Sequence, residues 1–260
     1  MTAQPEFLME VILALLGLLI VCITTYGMYS SYSQKQDEEK RRLIRNQKKL
    51  VAEADDLLLK SSQLPYSKTL ILLLQNRVLS ALSLMLEAEP SLNSVRDRIN
   101  DMRKQMEYIK ANYSDSSVAP LKSPANDVEA ISMLKTVRRL RQVVRIEHNK
   151  GKIDPNSFAA EDRRLELILI KVNISSLMNH IREAISTHQL GSARQMLETG
   201  IQVLAKIQTD DQWIVNTKQQ LSSSYEQINQ RIEAENERKA ELAASSKDEL
   251  DELFQPKKKW

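Results

Sequence analysis

Residues 11–30 read VILALLGLLIVCITTYGMYS, a stretch without a single charged side chain. A helix rises about 1.5 Å per residue, so a run of this length matches a hydrocarbon core about 30 Å thick. Ten of its positions are Leu, Ile or Val, and each favours insertion by about 0.3–0.6 kcal/mol near the centre of a spanning helix. Gly17, Thr24 and Thr25 subtract too little to reverse that sum. The stretch predicts a single transmembrane anchor, preceded by a short external tail of residues 1–10. Tyr26, Tyr29 and Tyr32 fall where an interfacial aromatic belt belongs.

The flanks set the expected orientation. Glu6 and Glu10 precede the span without any Lys or Arg, whereas Lys35, Lys40, Arg41, Arg42, Arg45, Lys48 and Lys49 follow it. Segments rich in Lys and Arg stay cytoplasmic, which predicts an external N-terminus and a cytoplasmic body. A short translocated tail and a compact cytosolic body suit a bacterial inner membrane. A cleaved signal peptide needs a basic start, a shorter apolar run and a small-x-small site, and the sequence has none of these. Cys22 follows Leu19-Ile20-Val21, without the small residue expected ahead of a lipidated cysteine.

Removing the anchor leaves about 230 residues, enough for one sizeable or two small domains. Gly and Pro are few, and Leu, Ala, Glu, Lys, Arg, Gln and Ser dominate, a composition that favours helices over sheets. Cys22 is the lone cysteine, which rules out an intramolecular disulfide or a cysteine metal cluster. A net charge of +3 is too slight to imply a nucleic-acid partner by itself.

Helical periodicity continues beyond the anchor. Residues 35–60 read as a helix leaving the membrane, with Leu43, Gln47, Leu50, Ala54 and Leu57 stepping by four and three. That stripe, through Leu43, Leu50 and Leu57, could support a homo-oligomer, although packing on the protein's own later helices is the preferred reading. A break at 61–65 follows. Residues 66–89, with TLILLLQNRVLSALSLML at their centre, are apolar nearly all round. Lys68 and Arg77 leave too little uninterrupted length for a second span, so this helix is assigned to a soluble core. Pro90 stops it and Ser91 is expected to cap a helix carrying Val95, Ile99, Met102, Met106 and Ile109.

The stretch SDSSVAPLKSPAN, residues 114–126, reads as a flexible linker. It divides a juxtamembrane helix and first helical unit (31–113) from a second helical unit (127–242). In the second unit, residues 128–149 form an amphipathic helix ended by Gly151 and Asp154-Pro155, and Ser157 is expected to cap the next, running to about His188. Gly191 is read as punctuation before a helix over 192–208. Asp210 or Asp211 opens the last helix, striped by Ile214, Leu221, Tyr225, Ile228 and Ile232. No segment shows a period-two strand pattern bounded by turns. The fold class is all-α, a body of helical hairpins.

Residues 74–83 and 177–186 align with four identities and two apolar exchanges, which hints at two related helical halves. Ala184, Ala193, Leu197 and Gly200 lie loosely where helix-pair repeats place small residues at a crossing, so the second half weakly resembles tetratricopeptide repeats. That resemblance implies a groove able to take a peptide or a partner helix.

Two segments are candidates for recognition. In residues 128–149, Met133, Val137, Leu140 and Val144 line one face, while Lys135, Arg138, Arg139, Arg141 and Arg145 form a basic opposite half. Such a surface suits an anionic lipid leaflet, an acidic protein or nucleic-acid phosphates, and the absence of interleaved aromatics gives single-strand stacking no support. The tail, residues 243–260, carries Leu250, Leu253 and Phe254 on one side of a short helix opened by Ser246 and Glu249, a docking-motif pattern. The tail resembles peptides that dock on bacterial DNA sliding clamps through a terminal Leu-Phe, departing from them at Leu250, where a glutamine usually stands.

Catalytic and metal signatures are lacking. The histidines are His148, His180 and His188; no phosphate-cradling glycine loop, nucleophile elbow or His-Glu-x-x-His occurs. His180 and Glu183 share a face but lack the further carboxylates of a di-metal bundle. The expectation is a non-enzymatic, cofactor-free membrane scaffold or adaptor that recruits cytosolic proteins of unknown identity. The alternative is a DNA tether acting through the basic helix.

Overall fold

The computed structural model describes residues 3–113 and 121–254, with side chains described at residues 17, 19, 23–113 and 121–242. Most of the linker expected at 114–126, the side chains of the first half of the expected anchor, and those of the expected tail lie outside the described residues. Among the described residues the protein is all-helical, without a strand. Seven α-helices follow one another: α1 Ala3–Leu59, α2 Lys68–Ala88, α3 Asn93–Asn112, α4 Asp127–Asn149, α5 Pro155–Ser186, α6 Leu190–Ala205 and α7 Gln212–Phe254. They group into two compact units, residues 1–119 with 149–153, and residues 120–148 with 154–260.

α1 is one helix of 57 residues that runs through both the uncharged stretch and the helix expected from residue 35 onward. Strong helix formers such as Lys, Glu, Arg and Gln fill residues 35–49, and no proline interrupts the run before Pro65. Ile23, Tyr26, Met28, Tyr29 and Tyr32 are exposed on it. Further along, Val51 and Ala54 are buried in one core with residues of α2 and α3, with Ile44 and Leu50 packed alongside, and Leu57 is buried as well. The stripe expected to offer self-association is therefore largely consumed within the first unit: Leu57 is buried, Leu50 is packed, and Leu43 alone of the three is exposed.

A short 3₁₀ turn, Lys60–Ser62, turns the chain into α2. Ser67 caps α2 by accepting the Leu70 N–H at 3.0 Å. Tyr66 Oη donates to the Leu57 carbonyl at 2.7 Å, and Tyr113 Oη donates to the Tyr66 carbonyl at 2.7 Å. These bonds tie the end of α1 to the end of α3. By length and composition α2 is able to cross a membrane, yet half of it is buried inside the molecule. Leu70, Leu74, Val78, Ala81 and Met85 are buried, and buried Arg77 lies 3.8 Å from Glu53 of α1. The α2–α3 turn departs from expectation: α3 starts after Leu92, which makes no side-chain cap, and Ser91 Oγ instead donates to Glu89 Oε1 at 3.3 Å. Glu89, ahead of Pro90, is extended as pre-proline sterics require.

Just after α4, Gly151, which groups with the first unit, takes φ +70°, a left-handed conformation that favours glycine. α5 is capped by Asp154, whose side chain accepts the Ser157 N–H at 2.9 Å, with Pro155 as first helical residue. Ser157 is thus the donor in this cap rather than the capping residue expected, because a proline at the first helical position puts the cap one place before it. The α5–α6 turn is made by His188 at φ +57°, and Gln189 N–H returns to the Ala184 carbonyl at 2.8 Å. Gly191, expected to punctuate, lies inside the first turn of α6.

α5, α6 and α7 share one core of Ile174, Ile181, Ala184, Leu197, Ile214, Leu221 and Ile228 among others. A Cβ on Gly200 would lie 3.1 Å from both Leu177 Cδ2 and Leu221 Cδ1, so α6 passes close to its neighbours there. Asp211 opens α7 by accepting the Trp213 and Ile214 N–H groups at 3.0 and 3.3 Å. Past Ile232, α7 is exposed through Leu242 and its backbone stays helical to Phe254. The Ser246–Glu249 pair expected to open a short helix therefore lies inside a long one.

Candidate functional site

α4 is held by both ends of its contact with α5. Asn126 Oδ1 accepts the Glu129 N–H at 2.9 Å, and Glu129 Oε2 accepts the Ala125 N–H at 2.8 Å, a reciprocal start of the capping-box kind. His180 Nε2 of α5 lies 3.0 Å from Asp127 Oδ1, and Asn179 Nδ2 donates to the Pro124 carbonyl at 3.0 Å. Fourteen positions along α4, Arg141 reaches Asp162 near the start of α5, its Nε at 2.8 Å from Oδ1 and its Nη2 at 2.7 Å from Oδ2. The two helices run antiparallel.

The apolar face read from the sequence is buried, with Met133, Val137, Leu140 and Val144 at 0–2 % exposure. Burial extends further round the helix to Thr136, Val143 and Glu147. Arg141 is four-fifths buried and committed to the Asp162 fork. Its hydrogen bond holds the Asp162 carboxyl below the usual carboxylate range, against the opposing effect of burial, and raises the Arg141 guanidinium. Arg145 Nη2 also lies 3.5 Å from Asp162. The five candidate cations thus divide. Arg141 and Arg145 turn toward α5, while Lys135, Arg138 and Arg139 are exposed on the outer face. Sequence periodicity had no means of finding Asp162, which lies 21 residues from Arg141.

The first unit carries a groove of about 410 Å³ between α1 and α3. Leu82 and Met85 floor it, Val51 and Val95 wall it, and the Asp55–Arg98 ion pair at 2.6 Å crosses its rim. Leu250, Leu253 and Phe254 are on the helical backbone of α7, and their side chains lie outside the described residues. His180 and Glu183 are 3.9 Å apart, and no group of three or more His, Cys, Asp or Glu placed to hold a metal ion occurs among the described residues. Comparison of this chain with protein families, with curated proteins and with solved structures finds no match.

Proposed function

We propose that the chain is a non-enzymatic, single-pass membrane scaffold, with its N-terminus outside and a cytosolic helical body that recruits soluble proteins to the inner face of a bacterial plasma membrane. The observation that carries this reading is the continuity of α1, in which the uncharged stretch of residues 11–30 and the buried Val51, Ala54 and Leu57 belong to one helix. A rod of this kind ties the first unit to the bilayer without a hinge. The exposed Ile23, Tyr26, Met28 and Tyr29 support it, because a contiguous apolar surface of this length calls for an apolar surrounding. Anchoring raises the effective concentration of partners at the membrane.

The groove between α1 and α3 and the end of α7 with Leu250, Leu253 and Phe254 are the proposed docking surfaces. The hairpins α2–α3 and α5–α6 carry the two matched segments, and in both copies the aligned pairs Val78/Ile181 and Ala81/Ala184 are buried. This supports two related halves with weak likeness to tetratricopeptide repeats. The test is crosslinking in membranes of the full chain against two variants: Ala52→Arg with Val95→Asp in the groove, and a deletion of residues 246–260. A crosslinked protein lost in one variant supports recruitment. Identical crosslinks in all three would contradict it.

A further inference from the structure

We infer that the outer strip of α4 is a second, peripheral contact with anionic lipid headgroups, resting on the membrane-anchored reading above. At about 100° per residue, Val128, Ile131, Lys135, Arg138, Arg139 and Gln142 fall within an arc of about 100° opposite the buried face. Asp127, at the edge of that strip, lies 3.0 Å from His180 Nε2 of α5, while Glu129 and Glu147 project to the side of the buried face, and Glu147 is itself buried. Lys135, Arg138 and Arg139 are exposed along it. Arg139 Nη1 donates to Gln142 Oε1 at 2.6 Å within the same strip.

What directs this strip to lipid is its apolar start. Val128 is 78 % exposed and Ile131 51 % exposed, about two turns and one turn before the first cation. Aliphatic side chains beside a row of Lys and Arg match the boundary between acyl chains and headgroups, where a helix lying in the membrane plane buries one and pairs the other. A phosphate backbone offers nothing to Val128 or Ile131, and the strip has no aromatic residue on which a base could stack. Its row from Val128 to Gln142 is about 21 Å long and straight, a form that suits a flat anionic surface. Each cation is expected to strengthen such a contact about fivefold, weak for a soluble protein but sufficient for one already tethered.

The test uses the full chain with Cys22→Ser and Ser132→Cys, carrying an environment-sensitive dye beside Ile131, in lipid nanodiscs. In discs rich in anionic lipid the dye should shift to the blue and resist an aqueous quencher, and high salt should reverse both effects. Replacing Lys135, Arg138 and Arg139 together by Gln should weaken the contact about 100-fold and restore quenching, while the far-ultraviolet spectrum stays unchanged. Equal quenching in anionic and zwitterionic discs would overturn the inference. So would protection in zwitterionic discs on adding duplex DNA, which would assign the strip to nucleic acid. A chain that failed to enter discs would overturn the anchor instead, and the same dye read against added vesicles would then decide the strip separately.

Discussion

Arg141 of α4 grips Asp162 of α5 through two parallel hydrogen bonds of 2.8 and 2.7 Å. Both side chains are about one-fifth exposed, so solvent screens the pair only in part. Asp162→Asn is expected to lower the stability of the second unit by about 1–2 kcal/mol. The sign of the pH effect follows from the lowered carboxyl. A carboxylate depressed by folding adds stability above its unfolded value, about pH 4, and loses it as pH falls toward the folded one. Acid titration of thermal melts should therefore be flatter below about pH 4 in Asp162→Asn than in the parent.

Gly200 marks a close approach of α6 to α5 and α7. Leu177 Cδ2 and Leu221 Cδ1 stand 3.1 Å from where a Cβ would be. Both are tips of flexible side chains. Gly200→Ala should change stability little, because about 1 kcal/mol of helix propensity offsets a shift of a few tenths of an ångström. Gly200→Val adds bulk with no room for it and should cost about 1–3 kcal/mol. Urea unfolding of the two variants beside the parent checks the pair.

Asp211 both caps α7 and meets Lys171 Nζ at 2.7 Å. Lys171 Nζ in turn lies 5.7 Å from the Trp213 ring centroid. Asp211→Ala is expected to cost about 1–2 kcal/mol and to change the emission of Trp213 by releasing the lysine. Asp211→Asn keeps the cap and loses the charge, so it should retain most of the stability.

Tyr66 is buried, and burial, reinforced by Asp56, pushes its phenol above the ordinary range. A group raised by folding stabilises below its unfolded value and loses that stability as pH rises, here above about pH 10. Tyr66→Phe removes the bond to the Leu57 carbonyl and should cost about 1 kcal/mol at neutral pH. Alkaline melts of the variant should fall less steeply than those of the parent.

Much of the fold was legible in residue spacing. The stripes Met133–Val137–Leu140–Val144 and Ile214–Leu221–Ile228 are buried as their periods require, and Asp211 and Gly151 stand at the ends they mark. Misplaced caps share one cause: Ser91, Ser157 and Gly191 are suitable residues by type, but Leu92, Asp154 and His188 occupy the decisive backbone positions. The uncharged stretch of residues 11–30 and the helix read from residue 35 onward run together in α1 because nothing between them breaks a helix. At the candidate site, the basic half of α4 was readable from sequence. Which of its cations turn inward was not, since Asp162 reaches Arg141 only through the antiparallel packing of α5.

Anchorage by residues 11–30 is the premise on which recruitment depends, and α2 is the one rival span among the described residues. Alkaline carbonate extraction of membranes holding the full chain, beside a chain lacking residues 1–30, addresses both helices at once. The account predicts that the full chain stays with the bilayer and the shortened chain is released folded, with its helical spectrum intact. A shortened chain that remained embedded would contradict it and move the span to α2.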